Sequence, residues 1–84
     1  MDKQTLITQL KEIVKPYAKN EEALLNINEN TDFVNDLKIN SANLVDVVLD
    51  VEEQFNIVID NESMERMLNV KSAIEIIEAK LGAQ

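Results

Sequence analysis

The sequence predicts a small all-α bundle with three longer helices and one short helix. Three observations indicate this fold class. The 84-residue chain has one Gly and one Pro, too few for the many tight turns of a β-rich fold. Apolar residues make up 45% of the chain, and in three long segments they recur at helical spacing. No segment has a clear strand pattern, so residues 1–84 are expected to form one helical domain.

The first helix is predicted from about Lys3 to Lys15. Asp2 is a suitable N-cap for it. Pro16 lies where the helix should stop or bend, because proline cannot donate the next backbone hydrogen bond. The apolar stripe that defines this helix consists of Leu6, Leu10, Ile13, Val14 and Tyr17.

Residues 18–40 are expected to be largely irregular, with many asparagines but enough apolar residues to pack against the core. A loop this long often hides a helical turn, and Glu21 to Leu25 could form one. A calcium-binding EF-hand is excluded. A twelve-residue loop starting at Asn26 would place Thr31 where Gly is required and Leu37 where a bidentate Glu is required.

Three further helices are predicted in the second half of the chain. The second helix should run from about Ser41 to Phe55, and a short one from Ser63 to Leu68. Asn69 is a good N-cap for the last helix, Val70 to Leu81, and Gly82 stands where a C-cap is expected. The inward residues of the last helix are predicted to be Val70, Ala73, Ile74, Ile77 and Leu81.

The composition excludes several function classes. The chain has no Cys and no His, which removes disulfides, thiolate metal sites and the commonest general base. A carboxylate-based hydrolase is an alternative, but its acids would lie on solvated faces, and we expect no enzyme. The N-terminus is no secretory signal and no apolar run approaches the ~20 residues of a membrane span. A cytoplasmic monomer without membrane insertion is therefore expected.

The charge is acidic and unevenly distributed. The formal net charge is −8, which disfavours nucleic acid and anionic membranes as partners. No Lys or Arg occurs from Ile39 to Glu65, and a protein partner with a basic surface is indicated. The acids in that stretch are Asp46, Asp50, Glu52, Glu53, Asp60, Glu62 and Glu65.

The second helix has two different faces. Its core face is predicted to consist of Leu44, Val47, Val48, Val51 and Phe55. The acids Asp46, Asp50 and Glu53 lie opposite, and no Lys relieves their repulsion. The same outer side carries three apolar residues that the core does not need, Ala42, Val45 and Leu49. An apolar strip bordered by acids is typical of a docking surface for a partner that is both basic and apolar.

Ser41 has two interpretations. Serine at a helix start is most often an N-cap, and local physics alone favours that role. Asn40 caps equally well, however, and a cap at Asn40 would leave the Ser41 hydroxyl facing solvent. A phosphate esterified to Ser41 would then lie in the favourable field at the positive end of the helix.

An ordered set of motifs in the stretch DFVNDLKINSANLVDVVLDVEEQFNIVIDNE, followed by NVKSAIEII, resembles the acyl carrier protein family. The family pattern is a Phe-x-x-Asp-Leu loop, an Asp-Ser-Leu helix start and a Glu-Glu-x-Phe helix end. The residues here at those places are Phe33, Asp36, Leu37, Asn40, Ser41, Ala42, Glu52, Glu53 and Phe55. Further matches are Ile57, Ile59, Asp60, Glu62, Val70, Ala73, Ile74 and Ile77.

The resemblance implies an acyl-carrier-like four-helix bundle without catalytic residues or a metal. A phosphopantetheinyl transferase would attach 4′-phosphopantetheine covalently to Ser41. Acyl groups would then be held as thioesters, in fatty acid, polyketide or related secondary-metabolite biosynthesis. Acyl synthases and transferases with basic docking patches would bind the second helix at Ala42, Val45, Asp46, Leu49, Asp50 and Glu53.

Three positions depart from the family pattern. Asn40 replaces Asp, Ala42 replaces Leu, and Lys38 or Ile39 stands where Gly is usual. These departures favour a specialised carrier over the main fatty acid carrier. The alternative function is an unmodified carrier-fold interaction module, in which Ser41 is only a cap.

Overall fold

Five α-helices and one 3₁₀ turn form the fold of residues 2–82, the part of the chain that this computed structural model describes. The 3₁₀ turn is Ser41–Asn43. The described residues contain no strand, only an isolated bridge between Asp32 and Asn69. The all-α prediction is confirmed, and the helical turn suggested for Glu21 to Leu25 is present as a second short helix, α2. The helices are α1 Lys3–Val14, α2 Glu21–Leu25, α3 Leu44–Phe55, α4 Asn61–Arg66 and α5 Val70–Gly82.

The predicted start of α1 is confirmed, and its end differs by one residue. The Asp2 side chain accepts a hydrogen bond from the backbone N–H of Thr5 at 2.7 Å, and that bond lowers the pKa of Asp2. Val14 is the last helical residue, two before Pro16. Tyr17 and Ala18 donate back to the Val14 carbonyl oxygen, both at 2.9 Å. The chain is thereby turned towards α2.

The second predicted helix begins as a 3₁₀ turn. Residues Ser41–Asn43 adopt 3₁₀ geometry, and α-helical geometry begins at Leu44 instead of Ser41. The helix ends as predicted at Phe55, where Asn56 takes the left-handed conformation with φ 55°. Asparagine tolerates this conformation better than other residues with a Cβ, and it is therefore suited to ending a helix.

The short helix α4 lies two residues earlier than predicted. It spans Asn61–Arg66, whereas the sequence indicated Ser63 to Leu68. The cause is its cap, because the Asp60 side chain accepts from the Ser63 backbone N–H at 2.7 Å. That hydrogen bond also lowers the pKa of Asp60.

The last helix, α5, begins where predicted, and its cap is confirmed. Asn69 accepts from the Ser72 backbone N–H at 2.8 Å. Gly82, the predicted C-cap, is the last helical residue, one beyond the predicted end. Four of the predicted inward residues are buried and Leu81 is partly buried. Ile76 is buried as well, which the predicted stripe did not include.

A single aliphatic core lies between α1, α3 and α5. The largest fully buried side chains are Phe33, Leu6, Leu10, Leu37, Ile39, Ile74, Ile77, Val14, Val47, Val51 and Val70. Phe33, Leu37 and Ile39 come from the irregular segment before the 3₁₀ turn, which therefore contributes directly to the core. No helix within residues 2–82 is long and apolar enough to cross a membrane.

Backbone hydrogen bonds attach the irregular segment to the helices. The Phe33 N–H donates to the Leu68 carbonyl oxygen at 3.1 Å, and the Val70 N–H donates to that of Thr31 at 3.0 Å. The Leu37 carbonyl oxygen accepts from Lys19 at 2.9 Å. The segment is thus joined to the start of α5 on one side and to the α1–α2 connection on the other. These bonds satisfy backbone groups that burial would otherwise leave unpaired.

Lys38 has a left-handed backbone conformation, with φ 60°. This residue lies in the turn between Leu37 and Ile39, both of which are buried. A side chain with a Cβ is strained in this conformation and glycine is not. Glycine would therefore suit this turn better than Lys38 does.

Glu52 ties the end of α3 to the loop that follows it. Its carboxylate accepts from the Ile59 backbone N–H at 2.7 Å. Ile59 is buried, and Glu52 is half-buried. The neighbouring Glu53 is exposed. Two adjacent glutamates of the motif therefore have different surroundings.

We predict that Glu52→Ala lowers the free energy of unfolding by about 1–2 kcal/mol, because it leaves the Ile59 N–H without its charged acceptor. Glu53→Ala is the matched control and should stay within about 0.5 kcal/mol of the parent. Urea unfolding followed by circular dichroism measures both. Equal midpoints for the two variants would contradict the assigned role of Glu52.

We predict that Lys38→Gly is more stable than Lys38→Ala by about 1 kcal/mol, because only glycine relieves the strain at positive φ. The two variants lose the same charge, so the comparison isolates the backbone. Thermal and urea unfolding of the pair provide the measurement. An Ala variant at least as stable as the Gly variant would rule out strain at this turn.

Candidate functional site

Ser41 lies exposed at the junction between the irregular segment and the second long helix. The preceding residues hold this junction in place: Ile39 is buried, and its N–H donates to the Phe33 carbonyl oxygen at 3.0 Å. Asn40, Ser41 and Ala42 are all exposed. The hydroxyl therefore stands at the surface on a backbone that is anchored just before it.

Asn40, and not Ser41, caps the turn. Its side-chain oxygen accepts from the Ala42 N–H at 2.9 Å, and its carbonyl oxygen accepts from the Asn43 N–H at 2.8 Å. The Ser41 carbonyl oxygen accepts from the Leu44 N–H. Within residues 2–82 the Ser41 hydroxyl makes no hydrogen bond. The expectation that Ser41 itself is the cap is therefore wrong, and the alternative cap at Asn40 is confirmed.

The field at the start of α3 is positive. Twelve residues of α-helix follow the 3₁₀ turn, and Asn43, the residue before them, makes no side-chain capping bond. Backbone N–H groups at such an end are only partly satisfied and attract negative charge. A negatively charged substituent on Ser41 would be stabilised there, and Asp46 in the first helical turn uses the same field.

Three apolar side chains form the outer strip, defined as Ala42, Val45 and Leu49. Val45 is 48% exposed and Leu49 is 55% exposed, while Ala42 is also exposed. Val47, Val48 and Val51 of the same helix are buried. The predicted rotation of this helix is thus confirmed, and Leu44 is partly buried against the core.

Asp46 and Glu53 border the outer strip, and neither carboxylate has an ion-pair partner within residues 2–82. Both are exposed. The ion pairs among residues 2–82 are Lys3 with Glu29 at 2.8 Å and Lys80 with Asp60 at 3.5 Å. Neither pair involves α3, so no base in the described part of the chain forms an ion pair with its acidic outer side.

Asp50 differs from the other two acids on this side. The Tyr17 hydroxyl donates to its carboxylate at 2.9 Å, and Asp50 is half-buried. The hydrogen bond raises the pKa of Tyr17, because a proton shared with a carboxylate is harder to remove. Asp50 was expected on the solvated face with Asp46. Instead it links α3 to the end of α1.

The structure places Val45, Asp46, Leu49 and Glu53 on the exposed side of α3. Ser41 and Ala42 lie in the 3₁₀ turn before it, and Asp50 is half-buried beside Tyr17. Ser41 and Glu53 are twelve residues apart, roughly 18 Å along the helix axis. Tyr17 was predicted to belong to the core stripe of α1, and its bond to Asp50 was not predicted. The sequence did contain one indication that Tyr17 is not fully buried: it lies beyond Pro16, where α1 was expected to have ended.

Within residues 2–82 no group of three or more carboxylates is arranged to hold a metal ion.

The chain is similar to several proteins named acyl carrier protein. One from Coprothermobacter proteolyticus is 35% identical over 81 residues, which cover 96% of both sequences. One from Guillardia theta is 33% identical over 68% of this chain and 70% of its own length. One from Cyanidium caldarium is 42% identical over 60% of this chain and 58% of its own length. No family model matches the chain.

The first of these alignments extends over almost the whole length of both proteins, and the helical bundle described above agrees with it. The chain therefore belongs to the acyl carrier protein family.

Proposed function

We propose that this chain is a noncatalytic acyl carrier, with 4′-phosphopantetheine attached covalently to Ser41. The observation that carries the proposal is the exposed Ser41 hydroxyl, which no hydrogen bond within residues 2–82 engages because Asn40 is the cap. Membership of the acyl carrier protein family supports the same role. The chain has no His and no Cys, which agrees with a carrier and not a catalyst.

Attachment of the arm needs an accessible oxygen nucleophile and a local environment that stabilises the negative charge of the phosphodiester. A phosphopantetheinyl transferase would join the Ser41 oxygen to the phosphorus of the pantetheine phosphate of coenzyme A. The bond from that phosphorus to the bridging oxygen breaks, and adenosine 3′,5′-bisphosphate leaves. The hydroxyl proton passes to a base on the transferase. The positive end of α3 then stabilises the phosphodiester charge that remains on Ser41.

The arm supplies a thiol, a group this Cys-free chain lacks, on which acyl groups are held as thioesters. The chain's own residues position the arm and recruit enzymes. Ile39 and Asn40 hold the backbone at its attachment point. The outer strip and the acids Asp46 and Glu53 offer an apolar contact bordered by negative charge, which suits enzymes with basic docking patches.

The proposed pathway is the synthesis of a fatty acid, a polyketide or a related secondary metabolite. Asn40 and Ala42 replace the Asp and Leu of the family pattern beside Ser41. The first change removes a charge and the second shortens an apolar contact. Both alter the surface that partner enzymes meet first, and for this reason we favour a dedicated pathway over the main fatty acid carrier.

Incubation with coenzyme A and a broad-specificity transferase should add the mass of one phosphopantetheinyl group to the protein. The Ser41→Ala variant should add nothing, and its stability should change by less than about 0.5 kcal/mol, because Ser41 is not the cap. Intact-mass spectrometry and urea unfolding measure these two results. An unchanged mass with several transferases would favour the unmodified interaction module instead.

Two docking variants should slow loading of Ser41 without unfolding the protein. We expect Asp46→Lys and Leu49→Glu each to lower kcat/KM for the transferase by at least about fivefold, through lost charge and apolar complementarity. Glu22→Lys and Leu25→Glu are matched controls on α2, since both residues are exposed. Equal losses in the controls would show a general charge effect and no docking site at the outer strip.

A further inference from the structure

A groove runs between α1 and the C-terminal half of α3. Two adjoining sections of about 470 and 280 Å³ form it, and both are lined by Glu12, Ile13 and Gln54. Asp50 and Glu53 complete the larger section on the α3 side. None of the outer strip lines this α1–α3 groove. It therefore adjoins the docking surface proposed above and shares Glu53 with it.

The groove offers an apolar contact at its base. Ile13 is only partly buried, although it packs against the core. Pro16, which lines the larger section, is exposed. The smaller section presents mainly apolar surface. An aliphatic side chain from a partner would bury this surface and gain the corresponding hydrophobic free energy.

The rim of the groove is acidic, and within residues 2–82 only Asp50 among its carboxylates has a hydrogen-bond donor. Three carboxylates face it, those of Glu12, Asp50 and Glu53, and no Lys or Arg lines either section. Neither Glu12 nor Glu53 takes part in an ion pair within residues 2–82. Gln9 lines the smaller section, and its enclosed side-chain oxygen has no hydrogen-bond donor. The groove thus presents two carboxylates, those of Glu12 and Glu53, that the described part of the chain leaves unpaired.

We propose that the α1–α3 groove binds an amphipathic, Lys- or Arg-rich helix of a second protein. An aliphatic side chain of that helix would lie against Ile13, and flanking cations would pair with Glu12 and Glu53. Asp50 contributes charge to the rim while it keeps its bond from Tyr17. A second copy of this chain is a poor occupant, because both copies carry a net charge of −8.

The position of the groove has a functional consequence. Its α3 residues, Asp50 to Gln54, lie roughly 13 to 20 Å along the helix axis from Ser41. A helix bound there leaves the Ser41 end of α3 uncovered. One partner can therefore hold the carrier while another enzyme, docked on the outer strip and Asp46, works at Ser41. This consequence rests on the function proposed above, whereas binding in the groove does not.

The test uses the full chain labelled with ¹⁵N and a synthetic helical peptide with Leu on one face and Lys at the flanking positions. The same peptide with Glu for Lys is the control. We expect the Lys peptide to shift the amide signals of Thr8, Glu12, Ile13 and Gln54 more than those of Val45 and Leu49. The Glu peptide should shift none of them.

Glu12→Lys isolates the groove, because Glu12 is not part of the proposed docking surface. We expect it to weaken binding of the Lys peptide by at least about fivefold. Glu62→Lys on α4 makes the same charge change outside the groove and should weaken binding by less than about twofold. Circular dichroism of both variants checks that the helices persist. Saturating Lys peptide should slow Ser41 loading by less than Asp46→Lys does, because it occupies Glu53 but neither Asp46 nor the outer strip.

Three results would overturn the proposal: no binding of the Lys peptide, shifts centred on Val45 and Leu49, or equal weakening by the two Lys variants. Inhibition of loading as strong as that caused by Asp46→Lys would place the peptide on the outer strip and overturn the proposal as well. Failure of Ser41 to be loaded at all would count against the carrier function alone, since the amide shifts do not depend on modification.

Discussion

The burial of one face of α3 determines the geometry of everything at its surface. Val47, Val51 and Phe55 anchor the helix in a core made almost entirely of aliphatic side chains. A rotation of a third of a turn would expose these residues and bury Asp46, which costs far more than any surface contact could offset. The outer strip is therefore held outward by the core and not by contacts of its own. Ser41 is placed by the same constraint, since it precedes the helix by three residues.

The helical periodicity was sufficient to predict most of the fold. Three long helices, their caps at Asp2 and Asn69 and the inner and outer sides of α3 follow from spacing and cap chemistry alone. The errors arose where a short-range hydrogen bond competed with that periodicity. Asp60 starts α4 two residues early, and Asn40 makes a 3₁₀ turn of what was expected to be the first turn of α3. The start of a helix depends on which of several nearby polar side chains accepts from the free backbone N–H. The composition of the segment does not determine which one does.

The sequence was sufficient to predict which residues belong to the candidate site, but not which hydrogen-bond partners those residues have. Asp46 and Asp50 are equivalent in sequence, one helical turn apart and of like charge. In the structure one is free and the other accepts from Tyr17 of a different element. Glu52 and Glu53 differ in the same way, since only Glu52 accepts from the loop at Ile59. The difference comes from residues 33 and 7 positions away, respectively, and no local pattern contains it.

The cap at Asn40 also has a thermodynamic consequence. If the Ser41 hydroxyl capped the helix, esterification would remove an acceptor from the fold, and modification would be linked to partial unfolding. With the cap one residue earlier, the folding equilibrium and the chemistry at Ser41 are separate. A transferase can then act on the fully folded chain, and the bare and substituted forms can share one backbone conformation. The same scaffold can in this way pass through successive chemical states without being rebuilt.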